Sequence, residues 1–161
     1  MSKPRAQTIQ ARFGFADADL KTQKHDEIML WLDQHVNEVS SAIVGETVEM
    51  AQKTWEKPVM SGKYTVGFVD LFAFTNESYN YRMPSGYKRC GICFEVKTSI
   101  PSLGELICQI RMYQQYVRSG EWGLPIFVVV SPDARFADAL RSQGIEFYHY
   151  APDGADVAMR L

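Results

Sequence analysis

Two apolar runs constrain this chain more than anything else in it: KYTVGFVDLFAF at 63–74 and CGICFEVKTS at 90–99. Both are apolar on both faces, which is the pattern of strands in the middle of a sheet covered on two sides. Into these runs the sequence sets Asp70, Glu95 and Lys97. An uncompensated charge in such a place costs several kcal/mol, on the order of the largest single-site penalties, so the three groups must answer one another or a ligand. Strand geometry sends Glu95 and Lys97, two residues apart, to the same face. If the runs pair as neighbours, Asp70 joins them, and two acids and a lysine surround one point.

Such a set suits divalent-metal phosphodiester chemistry. Two carboxylates hold Mg²⁺ or Mn²⁺, which keeps waters and substrate phosphate as its remaining ligands. The metal acidifies a bound water and neutralises charge growing on the phosphate, and the lysine stabilises that charge or orients the attacking water. The alternative is a buried salt bridge of Lys97 with Glu95 or Asp70, and no chemistry.

After the second run comes PSLGELICQIRMYQQY at 101–116. Ser102 and Glu105 form a capping box that opens a helix, and Leu103, Leu106, Ile107, Ile110 and Val117 make its apolar stripe. Gln109 and Tyr113, four apart, are neighbours on that helix.

GFVD (67–70), EVK (95–97) and QIRMY (109–113) resemble the G-x-x-D, E-x-K and Q-x-x-x-Y motifs of the PD-(D/E)xK nuclease superfamily, in its RecB-like or lambda-exonuclease-like branch. The resemblance covers roughly residues 25 to 131, in the expected order of strand, strand and helix. The span from Asp70 to Glu95 is longer than in minimal members, and the segment from Asn76 to Arg89 absorbs it as a loop. The resemblance implies a restriction-endonuclease-like α/β fold and a metal-dependent deoxyribonuclease. It implies Asp70, Glu95 and the Val96 carbonyl as Mg²⁺ or Mn²⁺ ligands, Lys97 beside the attacking water, and Gln109 and Tyr113 in support. It also implies a further acid on the first helix. Glu27, in the cluster His25-Asp26-Glu27, is preferred over Glu38, Glu46 and Glu49, although Glu46 shares a stripe with Ile43 and Met50. Glu56 is a reserve. His25 can assist, as a histidine does in some RecB-like members, against a default of a surface histidine.

At 161 residues, one domain is expected, with a core over about 25–150 and an N-terminal extension over 1–20. A hydrophobic fraction of 46% with 22% charged residues is that of an ordinary soluble globule. Neither a membrane-spanning run nor a signal-peptide core is present, so a cytoplasmic location is expected. Three cysteines make no disulfide framework. Cys90 and Cys93 form C-x-x-C, but on a strand that spacing points them to opposite faces, and they read as reduced core cysteines rather than iron–sulfur ligands.

A net charge of −2 excludes binding to DNA by bulk electrostatics. Contact must be local. The segment NESYNYRMPSGYKR mixes Tyr79, Tyr81 and Tyr87 with Arg82, Lys88 and Arg89, stacking groups beside phosphate-binding cations. Arg111 and Arg118 on the later helix are further candidates for the DNA backbone.

Helical spacing runs from Gln23 through Ile28, Leu32, Val36, Val39, Ile43 and Met50 to about Lys53, with Asp26 as a candidate cap and a break near Asn37. WEKPVM at 55–60 reads as an edge strand, since Pro58 cannot donate to a ladder, and Ser61-Gly62 as a turn. LPIFVVV at 124–130 reads as a buried parallel strand, Ser131-Pro132-Asp133 as the start of a helix ending at Gly144, and Ile145–Tyr150 as the last strand. The order is α-β-β-β-α-β-α-β: a mixed sheet flanked by helices. Without an appended recognition domain, a homodimer or a partner that supplies specificity is expected. Two other classes compete: a non-catalytic DNA-binding or partner-binding protein on a nuclease fold, and a small ligand-binding or oligomerisation domain in which Lys97 and Glu95 only pair.

Overall fold

A computed structural model describes residues 22–75, 91–117 and 124–152. Along them run α1 (Gln23–Val44), β1 (Met50–Ser61), β2 (Tyr64–Thr75), β3 (Gly91–Val96), α2 (Leu103–Tyr116), β4 (Ile126–Ser131), α3 (Ala137–Ser142) and β5 (Glu146–His149). This is the expected order of helices and strands. The strands form a single mixed sheet in the order β1-β2-β3-β4-β5. The first three are antiparallel, while β3, β4 and β5 run parallel, as the continuous apolar run of β4 suggests.

The two faces of the sheet bury separate cores. Ile28, Leu32, Val36 and Val39 of α1 pack on Leu71, Ala73, Ile92, Phe94, Val96, Val128 and Val130. On the other face Leu106, Ile110 and Tyr113 of α2 and Leu140 of α3 pack on Val69, Phe72, Cys93, Phe127 and Val129. Covering both faces explains why the central strands are apolar at nearly every position. None of the described helices is long and apolar enough to cross a membrane.

Several boundaries differ from the sequence reading. Thr22, not Asp26, caps α1, its hydroxyl accepting from the His25 amide at 3.2 Å. The helix bends at His35 (φ −111°, ψ 15°), where the ring Nδ1–H donates to the Trp31 carbonyl at 2.8 Å. It ends at Val44 rather than near Lys53, because Gly45 adopts φ 87° and its amide closes onto the Ser41 carbonyl. Asn37 Oδ1 then accepts from the Met50 amide, and Ser41 Oγ from the Val48 amide, turning the chain back onto the sheet. Residues 50–54 therefore extend β1, and Glu46 and Glu49 lie exposed outside the helix. The edge position expected for the strand containing Pro58 is observed. Ser131-Pro132-Asp133 does not start a helix. Asp133 instead accepts from the Ile100 amide at 2.9 Å, and α3 begins at Ala137.

Candidate functional site

The site lies where β2 and β3 part. Their antiparallel pairing runs from Phe74↔Gly91 to Leu71↔Phe94 and stops. The next pair in that register would set Asp70 against Glu95. Inward–outward alternation slips at the same level: Val69 packs on the α2 side, whereas Leu71, two residues on, packs on the α1 side. On β1, Glu56 takes φ 49° between the pairs Trp55↔Leu71 and Lys57↔Val69, a left-handed conformation that costs a non-glycine residue about 1–3 kcal/mol. Both strands thus depart from regular strand geometry beside Asp70. Its carboxylate fills the opening, with Oδ2 accepting from the Val96 amide at 2.8 Å.

Four ionisable side chains are buried here. His25, Asp70, Glu95 and Lys97 are 4, 9, 3 and 6% exposed. His25 Nε2 lies 3.5 Å from Asp70 Oδ2. Glu95 and Lys97 share a face as strand spacing requires, with Lys97 Nζ 3.2 Å from Glu95 Oε1. From α2, Gln109 Nε2 donates to the same Oε1 at 2.7 Å and to the Tyr113 hydroxyl at 3.1 Å. One hydrogen of the amide joins the helix to the strand, and the other ties Gln109 to Tyr113 one turn on.

Electrostatics bind these groups into one cluster. Burial alone would raise the Asp70 pKa. The hydrogen bond and charge of His25, the charge of Lys97 and the Val96 amide outweigh it, holding the carboxyl below its usual range. Asp70 is therefore ionised at neutral pH. Burial, then the charge of Glu95, pushes the Tyr113 phenol well up, against the opposing hydrogen bond from Gln109; it stays protonated. Burial likewise pushes the Cys93 thiol well up and leaves it a core thiol, whereas Cys108 is exposed on α2.

The structure thus brings together Asp70, Glu95, Lys97, Gln109 and Tyr113, with Val96 contributing its amide. Glu27 stands apart. Half exposed, it accepts from Gln23 at 3.3 Å and faces Lys24 at 3.9 Å. The α1 residue that reaches the site is His25. Sequence periodicity carried that signal, because His25 falls three, four and seven residues before Ile28, Met29 and Leu32 on the buried stripe, and Glu27 does not. Glu38 is exposed, and Glu56 lies on β1. Arg111 is held by Gln114 Oε1 and the Gln143 carbonyl, each at 2.7 Å, and fastens α2 to the turn before β5. Tyr79, Tyr81, Arg82, Tyr87, Lys88, Arg89, Cys90 and Arg118 lie outside the described residues. Among the described residues, no group of three or more His, Cys, Asp or Glu side chains converges as a metal-holding set.

Comparison of the chain with protein-family models, with curated proteins and with solved structures yields no match.

Proposed function

We propose that this chain is a metal-dependent deoxyribonuclease with a restriction-endonuclease-like fold of the PD-(D/E)xK type. One observation carries the reading: Asp70, Glu95 and Lys97 are buried together at the parting of two core strands, and Gln109 of the following helix fixes one of the acids. A fold gains little from such a cluster, since apolar residues of the same volume would serve stability as well or better.

The donor set fits Mg²⁺ or Mn²⁺. Asp70 and Glu95 offer hard carboxylate oxygens, and a cation of this kind commonly takes one or two carboxylates from protein and completes its shell with water and phosphate. Asp70 and Glu95 would hold it, with the Val96 carbonyl a further candidate. Bound there, the ion supplies Lewis acidity and a more acidic water.

The chain's own groups do the rest. Lys97 places a positive charge where a phosphate oxygen accumulates negative charge, and its ammonium orients the attacking water. Water adds to phosphorus in line and gives up a proton as it does so. The bond to the leaving oxygen breaks and that oxygen takes up a proton, so the net transfer is one proton from the water to the leaving group. His25 and the Val96 amide hold Asp70 ionised, and Gln109 aims Glu95. The loop tyrosines and cations expected to contact DNA, and a second copy or partner supplying specificity, complete the proposal.

Cleavage of supercoiled and linear DNA in Mg²⁺, Mn²⁺ or EDTA tests it, with Asp70→Ala and Lys97→Ala as controls. Metal-dependent cutting that both variants lose is the expected result. A wild-type protein that binds DNA but cuts in no metal would move the assignment to the non-catalytic DNA-binding class.

A further inference from the structure

Tyr113 is the largest fully buried side chain among the described residues, and it lies against a backbone with nothing on it. A Cβ built at Gly67 would fall 2.6 Å from Tyr113 Cε1, 2.8 Å from its hydroxyl oxygen and 3.0 Å from Cζ. Real carbon contacts do not come so close, so the ring occupies the space a side chain at position 67 would need. Gly67 takes no left-handed conformation that would require glycine for its own sake. The glycine serves the tyrosine.

From that position the contacts lead in one direction. The Tyr113 hydroxyl accepts one hydrogen of the Gln109 amide, and the other goes to Glu95 Oε1. An amide with both hydrogens engaged has one orientation, and it presents a donor to the acid of β3 from across the helix–sheet interface. We propose that Gly67 is a positioning residue for the Glu95 carboxylate, acting through Tyr113 and Gln109. The inference rests on the nuclease reading only in giving Glu95 a part in cutting; the geometry is testable without it.

The test follows the Gln109 side-chain amide by ¹H–¹⁵N NMR, and DNA cleavage with Mg²⁺, in wild type, Gly67→Ala, Tyr113→Phe and the double variant. Gly67→Ala should displace the ring, move the Gln109 amide resonances at least as far as Tyr113→Phe does, and lower kcat about tenfold or more with KM for DNA unchanged. In the Tyr113→Phe background the same glycine change should cost less than about a further twofold, because the link is already broken. Unmoved Gln109 resonances in folded Gly67→Ala would overturn the proposal, as would a fall in kcat that is equally large with and without the hydroxyl. Should Gly67→Ala not fold, Tyr113→Phe alone decides: Gln109 resonances and kcat that both stay at wild-type values overturn the link. A wild type that never cuts sinks the nuclease reading, while the resonances still settle the geometry.

Discussion

Two aspartates, Asp70 on β2 and Asp133 just past β4, stand on the strands that flank β3 and begin with the same task. Asp70 accepts the Val96 amide at 2.8 Å and Asp133 the Ile100 amide at 2.9 Å. Both carboxyls are held below their usual range. The surroundings differ. Asp133 takes Arg135 in a two-point grip, Nε on Oδ1 and Nη2 on Oδ2, each at 2.8 Å, and the same guanidinium donates to the Ile100 carbonyl. One acid meets one exposed arginine, and the account closes on the loop between β3 and α2. At Asp70 and Glu95 two acids share one lysine and a histidine, all buried. An acid matched one to one with an exposed arginine is a brace, whereas two acids buried with a lysine and a histidine form a charge cluster that stability alone does not call for.

The sharpest way to break that contrast is to remove each aspartate. Asp70→Ala should lower metal-dependent cutting by about 10³-fold or more, since several kcal/mol of charge stabilisation leave with it. Asp133→Ala should leave cutting near wild type at 25 °C while lowering unfolding free energy by about 1–3 kcal/mol, the cost of a covered amide without its acceptor. Cleavage rates and denaturant midpoints measured on both proteins decide it. If folded Asp133→Ala lost cutting as completely as Asp70→Ala, the brace would belong to the site.

Next in size is the buried pair itself. Lys97→Met leaves Glu95 buried without its ammonium and should destabilise by about 3–5 kcal/mol. The double change Lys97→Met with Glu95→Leu should recover part of that loss, falling short of wild type by about 1–3 kcal/mol because the buried Gln109 amide loses its acceptor, and restore no cutting. Urea unfolding of the two variants reads the difference. A double variant as unstable as the single would make the pair a structural necessity, and the burial of the cluster would no longer argue for a functional role.

Acid titration sharpens the comparison further. A carboxyl with a lowered folded pKa contributes stability that is fully present above the ordinary value and disappears as pH falls through the folded one. The unfolding free-energy difference between wild type and Asp70→Asn should therefore be constant near neutrality and shrink below about pH 4. The Asp133→Asn difference should do the same but diminish in about 1 M salt, because Arg135 is 67% exposed and screened; that of Asp70 should not. Equal salt sensitivity of the two would mean that Asp70 is open to solvent.

Much of the frame was legible because it rests on local periodicity. Continuous apolar runs, the Ser102 cap and the stripe of α2 fix element order, and strand spacing alone puts Glu95 and Lys97 on one face. What escaped were long-range facts. The end of α1 depends on Gly45 turning left-handed and on Asn37 reaching Met50, and the apolar spacing runs on past that point as though nothing had happened. The need for glycine at 67 is written in a tyrosine 46 positions away and exists only after the helix docks. His25 lies on the buried stripe and was legible as an assisting residue; Glu27, preferred for its place in the His25-Asp26-Glu27 cluster, lies off that stripe.

Glu27 itself supplies the smallest prediction. Glu27 is half exposed, and its pairing with Lys24 at 3.9 Å is of the surface kind, worth about 0–1 kcal/mol. Glu27→Gln should leave stability within about 0.5 kcal/mol of wild type and DNA cleavage unchanged. His25→Gln should lower cutting, because the carboxylate of Asp70 loses the neighbour that most strongly holds it ionised. Parallel cleavage assays on the two variants read this directly. The reverse outcome, a silent His25→Gln and a damaging Glu27→Gln, would mean that the first turn of α1 rotates toward the site when the ligand binds. Burial in the free protein would then be the wrong guide to which residue of the helix takes part.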